Sequence, residues 1–261
     1  MYVANFGPFG DPAVIGELAE RTESAGWSGF FIWDHVARGE GVFPMVDPWI
    51  ALAVAATRTR TVTLGALVTP LARRRPWNVA REVATLDQLS GGRMVLGIGL
   101  GETGGPEFRD FSEQSDPRLR GDLLDEGLAI IRGAWSGEPV AHAGPHHRLD
   151  GVAFLPRPVQ SRLPIWAATE RLRGRPVRRA ARLQGVFPIG IDPERVGVLQ
   201  AEIERHRPET MEPIELIATG TDDWAAWQRA GADWWLCDVS WRAPLAAARA
   251  IIDAGPPDLT G

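Results

Sequence analysis

The sequence predicts a single (β/α)8 barrel, an α/β fold, over residues 1–261, and three observations support this prediction. The length of 261 residues is close to the ~250 that one such barrel needs. Short apolar runs alternate with segments of helical periodicity, as they do where helices join parallel strands. Aspartate-proline pairs stand ahead of several helical segments and are typical of helix starts.

Eight short apolar runs are the candidate strands, and helical patterns lie between them. The first helical pattern runs through Val14, Leu18 and Thr22 and stops at Gly26, a residue suited to end a helix. Eight strands in this alternation favour a closed barrel over an open doubly wound sheet, which is the alternative. The runs are Tyr2 to Phe6, Gly29 to Trp33, Thr61 to Val68, Arg93 to Ile98, Pro164 to Ala168, Gly185 to Ile189, Pro213 to Ala218 and Asp233 to Cys237.

Local signals mark helix starts and two irregular segments. Aspartate accepts hydrogen bonds from the free N–H groups of a first helical turn, and proline has the backbone angle that this turn needs. Such pairs predict helix starts after Asp11, Asp47, Asp116 and Asp192. Residues 99–115 are polar and glycine-rich, and residues 137–163 contain two alternating stretches, 146–149 and 152–154, that predict a small hairpin.

Composition excludes several classes of function. The net charge of −5 argues against a nucleic-acid or anionic-membrane surface, because both need a concentrated basic face. The chain has no lysine, which excludes a lysine Schiff base, and its single cysteine, Cys237, excludes an intrachain disulfide. His142, His146 and His147 have no acidic ligand at helical spacing, so we expect no metal. Neither a leader pattern nor an apolar run of ~18 residues is present, so we expect a cytoplasmic protein.

Polar side chains follow two predicted strands at the carboxyl end of the barrel, here called the mouth, where such barrels carry their chemistry. Asp34 and His35 follow the second strand, and Gly99 to Glu102 follow the fourth. His35 is a candidate for proton transfer, because the unperturbed histidine side chain has a pKa near neutrality, although a histidine can equally bind a loop carbonyl. Asp34 either orients the histidine or caps a turn. Glu102 is either a candidate acid or hydrogen-bond acceptor, or a solvated loop carboxylate.

The segment GLGETG, residues 99–104, has the G-x-G-x-x-G spacing of dinucleotide-binding folds. We reject that function, because the segment lies in the fourth unit and no strand ending in an acidic residue follows ~20 positions later. Glycines here instead let the backbone approach a flat ring or a phosphate. Two arginine groups, residues 73–75 and 171–179, either neutralise an anionic ligand or form solvated faces.

Two segments carry a resemblance to a known family. One is AGWSGFFIWDHV, which ends at Val36, and the other runs continuously from DPWIALAV at Asp47 to GIGLGE at Glu102. They closely resemble the luciferase-like monooxygenase superfamily of flavin and deazaflavin enzymes, and the similarity is strong as far as about Trp135 and looser afterwards. The resemblance implies a luciferase-like (β/α)8 TIM barrel that binds FMN or the deazaflavin coenzyme F-420 (an 8-hydroxy-5-deazaflavin) at its mouth.

The resemblance also implies roles for individual residues. His35 corresponds to a histidine near the reactive ring, and Glu102 to a glutamate implicated with it in proton handling in the deazaflavin members. Family members commonly carry a non-prolyl cis peptide at a bulge ending the third strand, which here would join Ala66 and Leu67. Cofactor contacts are expected from Asp34, Ala66, Leu67, Gly99, Leu100, Gly101, Ala167 and Ala168.

The chain also departs from the family pattern. It is shorter than many members, and the loop after the fifth strand reads ATERLRGRPVRR in place of the glycine-rich type common there. The tail after Cys237 is brief, so we expect a shortened C-terminal part. The phosphate-binding and substrate-binding residues stay open.

The function expected first is an oxidoreductase that transfers a hydride between F-420 and a small organic substrate, with His35 and Glu102 handling the proton. An FMN-dependent monooxygenase served by a flavin reductase is the first alternative. A flavin-binding barrel without turnover is the second. Dimers are frequent in the family, so a homodimer is a further open alternative.

Overall fold

Eight parallel strands lie side by side at the centre of the fold, and a separate two-stranded hairpin joins β5 to β6. The computed structural model describes residues 1–39, 41–102, 104–220 and 224–257, so Thr103 of the GLGETG segment lies outside the described residues. The large sheet has the order β1-β2-β3-β4-β7-β8-β9-β10. In chain order the strands are β1 (Tyr2–Val3), β2 (Gly29–Ile32), β3 (Thr63–Pro70), β4 (Met94–Gly99), β5 (Val140–Ala143), β6 (Arg148–Val152), β7 (Ile165–Thr169), β8 (Gly185–Pro188), β9 (Glu215–Gly220) and β10 (Trp234–Cys237).

The end of the sheet returns to its first strand and closes the barrel. Asp238, directly after β10, forms a parallel bridge with Tyr2, and the backbone N–H of Val239 donates to the carbonyl of Tyr2 at 3.0 Å. The strands of the large sheet pair in parallel, as strands joined by helices do. The predicted (β/α)8 barrel and its eight strands are confirmed, and the open-sheet alternative is wrong.

Helices lie between the strands, and four of them begin at the aspartate-proline pairs. Asp11, Asp47 and Asp116 each accept hydrogen bonds from backbone N–H groups of the helix that follows. Asp192 holds the same position without a side-chain capping bond to any described residue. The four predicted starts are confirmed. The helices are α1 (Pro12–Ser24), α2 (Pro48–Arg58), α3 (Pro76–Ser90), α4 (Pro106–Arg109), α5 (Pro117–Ala134), α6 (Arg175–Ala180), α7 (Pro193–Glu204), α8 (Trp224–Arg229) and α9 (Leu245–Asp253).

Apolar side chains fill two separate layers. In β4, Leu96 and Ile98 face the helices and belong to the outer core, whereas Val95 faces the inside of the barrel. The inward-facing side chains form an interior cluster of Phe31, Leu67, Val95, Trp166, Phe187, Ile217 and Leu236. Its aromatic rings are in contact, with 5.4 Å between the ring centroids of Phe31 and Trp166. The barrel centre is therefore packed, so a ligand site has to lie at one of its ends.

The predicted hairpin exists, but its arms lie elsewhere. β5 and β6 pair antiparallel, so stretches 146–149 and 152–154, which were expected to be opposite arms, both lie at or beside the second arm. The turn falls earlier because Glu126 of α5 accepts hydrogen bonds from the backbone N–H groups of His146 and His147, at 3.1 and 2.6 Å. The same carboxylate lies 2.9 Å from Nε2 of His142 on β5. Glu126 therefore fixes the hairpin to the barrel wall.

The described residues contain neither a membrane-spanning helix nor a cluster of metal-binding side chains. Within the described ranges, no helix is long and apolar enough to cross a membrane. Nor do three or more histidine, cysteine, aspartate or glutamate side chains come together there as a metal site.

Candidate active site

His35 lies at the mouth, in the loop that follows β2. Its backbone is held by Asn5, which follows β1: Asn5 Nδ2 donates to the His35 carbonyl at 2.8 Å, and the His35 N–H donates to Asn5 Oδ1 at 3.2 Å. Asn5 is fully buried and also donates to the carbonyl of Val46 at 2.8 Å. Asn5 therefore ties two loops to the end of β1. Sequence reasoning missed it, although a polar residue at a strand end was an available signal.

The His35 ring packs between aromatic neighbours and contacts one carboxylate. Its centroid lies 5.8 Å from that of Phe6 and 5.7 Å from that of Trp33. Nδ1 lies 3.1 Å from Oε1 of Glu107, a residue of α4. The His35 side chain is 16% exposed, whereas that of Glu107 is 1% exposed. The imidazole therefore lies at the boundary between solvent and a buried negative charge.

Glu107 is held by several donors at once. Its Oε1 also accepts hydrogen bonds from the backbone N–H groups of Val36 and Ala37, at 2.6 and 3.3 Å. Burial opposes ionisation, but the hydrogen bond and charge of His35, the charge of Arg73 and the Val36 N–H together lower the pKa of Glu107. Glu107 is therefore a carboxylate at neutral pH. Sequence reasoning did not select it.

Glu102, the predicted proton-handling glutamate, lies apart from this pair. Its side chain is 46% exposed, and Oε2 accepts a hydrogen bond from Arg38 Nη1 at 3.1 Å. The guanidinium of Arg38 also lies 5.4 Å from the ring centroid of Phe6. The structure thus pairs His35 with Glu107 and pairs Glu102 with Arg38 at the rim. The catalytic role of Glu102 stays a prediction.

Asp34 is buried in an ion-pair network. Its Oδ1 accepts hydrogen bonds from Nη2 of Arg73 and Nη2 of Arg74, both at 2.8 Å, and Arg73 also donates to the Asp34 carbonyl. Arg73 Nη2 further lies 3.9 Å from Oε1 of Glu107. The side chains of both arginines are largely buried, so their interpretation as a solvated face is wrong. Arg73 and Arg74 neutralise Asp34 and support the loop that carries His35.

The second arginine group divides into two parts. Arg175 binds Asp122 at 2.5 Å and Asp125 at 2.7 Å, and Arg179 binds Asp125 as well. These ion pairs hold α6 against α5. Arg171 is exposed instead and remains available to an anion.

The end of β3 carries a bulge with a cis peptide. The pairing of β3 with β4 shifts between Ala66 and Thr69, and the cis bond joins Leu67 and Val68. The predicted bulge is confirmed, whereas the predicted cis bond between Ala66 and Leu67 is wrong by one residue. The bulge breaks the strand alternation, so Leu67 and Val68 both face the inside of the barrel. Tyr2 Oη donates to the Leu67 carbonyl at 2.6 Å and fixes the bulge from β1.

Two glycines, one at the end of β4 and one just after it, lie close to this bulge and to α4. A Cβ at Gly99 would lie 2.5 Å from Val68 Cγ2 and 3.5 Å from the Cβ of Ala168. Gly101 has a φ of +79°, and a Cβ there would lie 2.7 Å from Phe108. Glycine is therefore required by packing and by backbone conformation. The protein's own side chains occupy the space beside both glycines, so the chain here lies close against the bulge and against Phe108.

The remaining predicted cofactor residues face different layers. Leu67 and Ala168 lie with the interior cluster, whereas Ala66 and Ala167 belong to the outer core. Only the main chain of Ala66 and Ala167 is therefore available to the mouth. Leu100 packs against the outer core, and its carbonyl accepts a hydrogen bond from Nη1 of the buried Arg120 at 3.1 Å.

Several buried polar atoms near the mouth have no hydrogen-bond partner in the part of the chain that the structure describes. They are Trp33 Nε1, Asp34 Oδ2, Thr69 Oγ1, Glu107 Oε2 and Asp238 Oδ1. Folded proteins pair most buried polar atoms, so such a concentration at one end is unusual. Burial also raises the pKa of Asp238. These groups make the mouth the polar end of the barrel and fit a site that binds a ligand.

Comparison with known proteins agrees with this geometry. The luciferase-like monooxygenase family matches residues 6–252. The chain belongs to this family. The match confirms the resemblance seen in the sequence.

Individual relatives differ in activity and in length. The chain is 34% identical over 185 residues to an F-420-dependent glucose-6-phosphate dehydrogenase of Nakamurella multipartita, covering 67% of this chain and 52% of the relative. This chain thus spans about half the length of that enzyme. A monooxygenase, RslO1 of Streptomyces bottropensis, is 28% identical with a TM-score of 0.66, covering 84% of this chain and 69% of that one.

A third comparison concerns the fold alone. The F-420-dependent tetrahydromethanopterin reductase of Methanopyrus kandleri has a TM-score of 0.76 at 15% identity. It covers 98% of this chain and 97% of that chain, so the barrel described above extends over nearly all of both proteins.

Proposed function

We propose that this protein is an oxidoreductase that uses coenzyme F-420 to transfer a hydride to or from a small organic substrate. The observation that carries the proposal is His35, which lies at the mouth 3.1 Å from the buried carboxylate of Glu107. The F-420 dependence of the glucose-6-phosphate dehydrogenase relative supports the choice of cofactor. The substrate class is proposed only as far as an alcohol or carbonyl compound, because hydride transfer of this type also moves a proton.

F-420, when bound, supplies the two-electron hydride chemistry. Oxidation of an alcohol also releases the hydroxyl proton, and His35 accepts it; in the reverse direction His35 returns it to the carbonyl oxygen. Asp34, Arg73 and Arg74 keep the loop of His35 in place. The Glu102 carboxylate at the rim assists by exchanging protons with solvent, which its 46% exposure permits.

The wall formed by Gly99, Gly101 and Ala168 would hold the ring of the cofactor. Leu67 and Val68 would support it from the bulge, and the main chain of Leu100 borders the same wall. Arg171, Arg173 and Arg178 are the candidates for contact with the anionic tail, because they are exposed, whereas Arg175 and Arg179 already bind α5.

An FMN-dependent monooxygenase is the second candidate, because the monooxygenase RslO1 is 28% identical to this chain. FMN, when bound and reduced, would supply oxygen chemistry, and a flavin reductase partner would be needed. The same wall would hold the ring, so the two candidates differ in cofactor and not in location. A cytoplasmic location and a homodimer stay predictions.

Titration of the purified protein with oxidised F-420 and, separately, with FMN tests the proposal by absorbance and fluorescence. We expect F-420 to bind and FMN to bind more weakly. The F-420-loaded protein is then offered alcohols, while the reduced form is offered aldehydes, ketones and enones, with cofactor oxidation state followed by absorbance. Preference for FMN with oxygen consumption would favour the monooxygenase. Stable binding without turnover across the panel would favour a binding protein.

A further inference from the structure

We propose that Glu107 is a positioning residue that holds His35 in its Nδ1–H tautomer, so that Nε2 is the ring nitrogen that exchanges a proton with the substrate. The inference rests on the proposed function, because it assigns the atom through which His35 acts. Its structural part, the tautomer, can be measured without any cofactor.

One carboxylate oxygen of Glu107 contacts three residues of the loop after β2. Glu107 Oε1 lies 3.1 Å from His35 Nδ1 and accepts hydrogen bonds from the N–H groups of Val36 and Ala37. Three consecutive residues of the loop after β2 therefore converge on one atom of α4. A side chain that is 1% exposed has no room to turn to solvent, so this arrangement persists.

Glu107 carries a negative charge at neutral pH. Burial raises the pKa of this carboxyl, but the contacts with His35, Arg73 and Val36 outweigh burial and hold the pKa below its ordinary value of 4.5. An ionised carboxylate accepts hydrogen bonds and cannot donate them. His35 Nδ1 must therefore be the donor, and the lone pair of the neutral ring lies on Nε2.

The backbone and the ring faces of His35 are already fixed. Asn5 binds its backbone N–H and carbonyl, and Phe6 and Trp33 flank its ring. With Nδ1 bound to Glu107, Nε2 is the ring nitrogen that no described residue hydrogen-bonds. The ring is thus held at its backbone, its faces and one nitrogen, which leaves one position for chemistry.

Two other roles for Glu107 have to be distinguished from this one. As a direct proton acceptor it would need access to the substrate, and its near-complete burial and three contacts argue against that role. As a simple loop anchor it would act through Val36 and Ala37 alone, and its removal would leave the tautomer of His35 unchanged. The tautomer of His35 in a protein without Glu107 therefore shows whether Glu107 positions the ring or only anchors the loop.

The experiment is nitrogen-15 NMR of the histidine rings in the full protein without cofactor, at a pH where His35 is neutral. The chain has five histidines, and loss of one signal set in His35→Asn assigns His35. We expect the Nδ1–H tautomer in the native protein and in Glu107→Gln, whose amide oxygen can still accept. In Glu107→Ala we expect a mixture or the Nε2–H form. Glu113→Gln, an exposed charge removal shortly after α4, is the matched control and should match the native protein.

An Nε2–H tautomer in the native protein would overturn the proposal, and so would an unchanged Nδ1–H tautomer in Glu107→Ala. If Glu107→Ala does not fold, the native tautomer decides alone. In turnover, we expect Glu107→Ala to lower kcat by about 10- to 100-fold with little change in the KM of the cofactor. Because the NMR readout needs no cofactor, failure of F-420 to bind would contradict the proposed function and not the tautomer.

Discussion

The two ends of the barrel bury different kinds of side chain. At the mouth the buried groups carry charge, with Asp34 between two arginines and Glu107 against His35. At the amino end they are aromatic: Trp27 stacks on Trp235 with 6.4 Å between ring centroids, beside a cavity of about 220 Å³. The mouth therefore differs from the amino-end cavity, whose described lining side chains are mostly aromatic or apolar.

The apolar groups and the buried charges contribute differently to the stability of the fold. Burying a large apolar side chain stabilises a fold by roughly 1.5–3 kcal/mol, whereas a buried ion pair contributes little net stability. The buried ion pairs that surround the His35 loop are therefore better explained by function than by folding. The amino-end cavity has one ionisable side chain among its described lining residues, Asp233, which accepts a hydrogen bond from the Leu216 N–H at 2.8 Å. The α-amino group of Met1 also lines the cavity and donates to the Gly29 carbonyl at 2.7 Å, so backbone hydrogen bonds hold both of these ionisable groups.

The largest effect is expected from His35→Asn at the mouth. Loss of the proton-transferring group should lower kcat by about 10²- to 10⁴-fold, while the stability of the amino end and of the interior cluster is retained. Steady-state kinetics and a thermal unfolding scan measure the two quantities. Unchanged turnover would remove His35 from the chemistry and the mouth from its functional role.

Asp34→Ala should have the next largest effect, on stability. It leaves Arg73 and Arg74 without their shared partner, and an uncompensated buried charge costs about 3–5 kcal/mol in the free energy of unfolding. The control is Asp253→Ala, which removes an exposed partner of Arg21 and should leave the free energy of unfolding nearly unchanged. Denaturant unfolding measures the free energy of unfolding of both variants. Equal losses of stability would mean that the buried ion pairs of Asp34 contribute no more than an exposed ion pair.

A smaller effect concerns pH and Glu107. Its folded pKa is lowered, so the ionised form stabilises the native state above the ordinary value of 4.5 and this contribution is lost as pH falls through the folded pKa. The native protein should exceed Glu107→Gln by about 1.5–3 kcal/mol in unfolding free energy at neutral pH, a typical value for a charged hydrogen bond. Denaturant unfolding across the acid range should show the gap closing. A gap that widens on acidification would contradict the assigned charge.

The smallest effect is expected inside the barrel. Ile217→Val removes one methylene group from the interior cluster and should cost about 0.5–1.5 kcal/mol of stability, with kcat unchanged. The same unfolding and kinetic measurements apply. A loss of kcat with little loss of stability would show that the interior cluster takes part in the function of the mouth.

Most of the fold could be predicted from the sequence because its signals are local. Apolar runs separated by helical patterns and aspartate-proline pairs located the strands and four helix starts. The cis bond was placed one residue early, between Ala66 and Leu67, because the bulge lets Leu67 and Val68 face the same side, and no periodic pattern reports that. The hairpin arms differ from the predicted ones because Glu126, on a distant helix, fixes the turn.

The candidate site was only partly predictable, because its contacts join separate loops. His35 and Asp34 could be found, since they follow an apolar strand directly. Glu107 lies 72 residues from His35, in a helix of four residues, and nothing local distinguishes it from Glu102. The two differ in burial, since the Glu107 side chain is 1% exposed and that of Glu102 is 46% exposed, and burial depends on contacts between separate loops.

The most direct test of the account follows the two ends of the barrel together as F-420 is added. Nitrogen-15 labels on histidine and tryptophan rings report on His35 and Trp33 at the mouth and on Trp27 and Trp235 at the amino end. We predict that F-420 shifts the signals of His35 and Trp33 and leaves those of Trp27 and Trp235 in place. Shifts confined to the amino end, or none at either end, would contradict a cofactor site at the mouth.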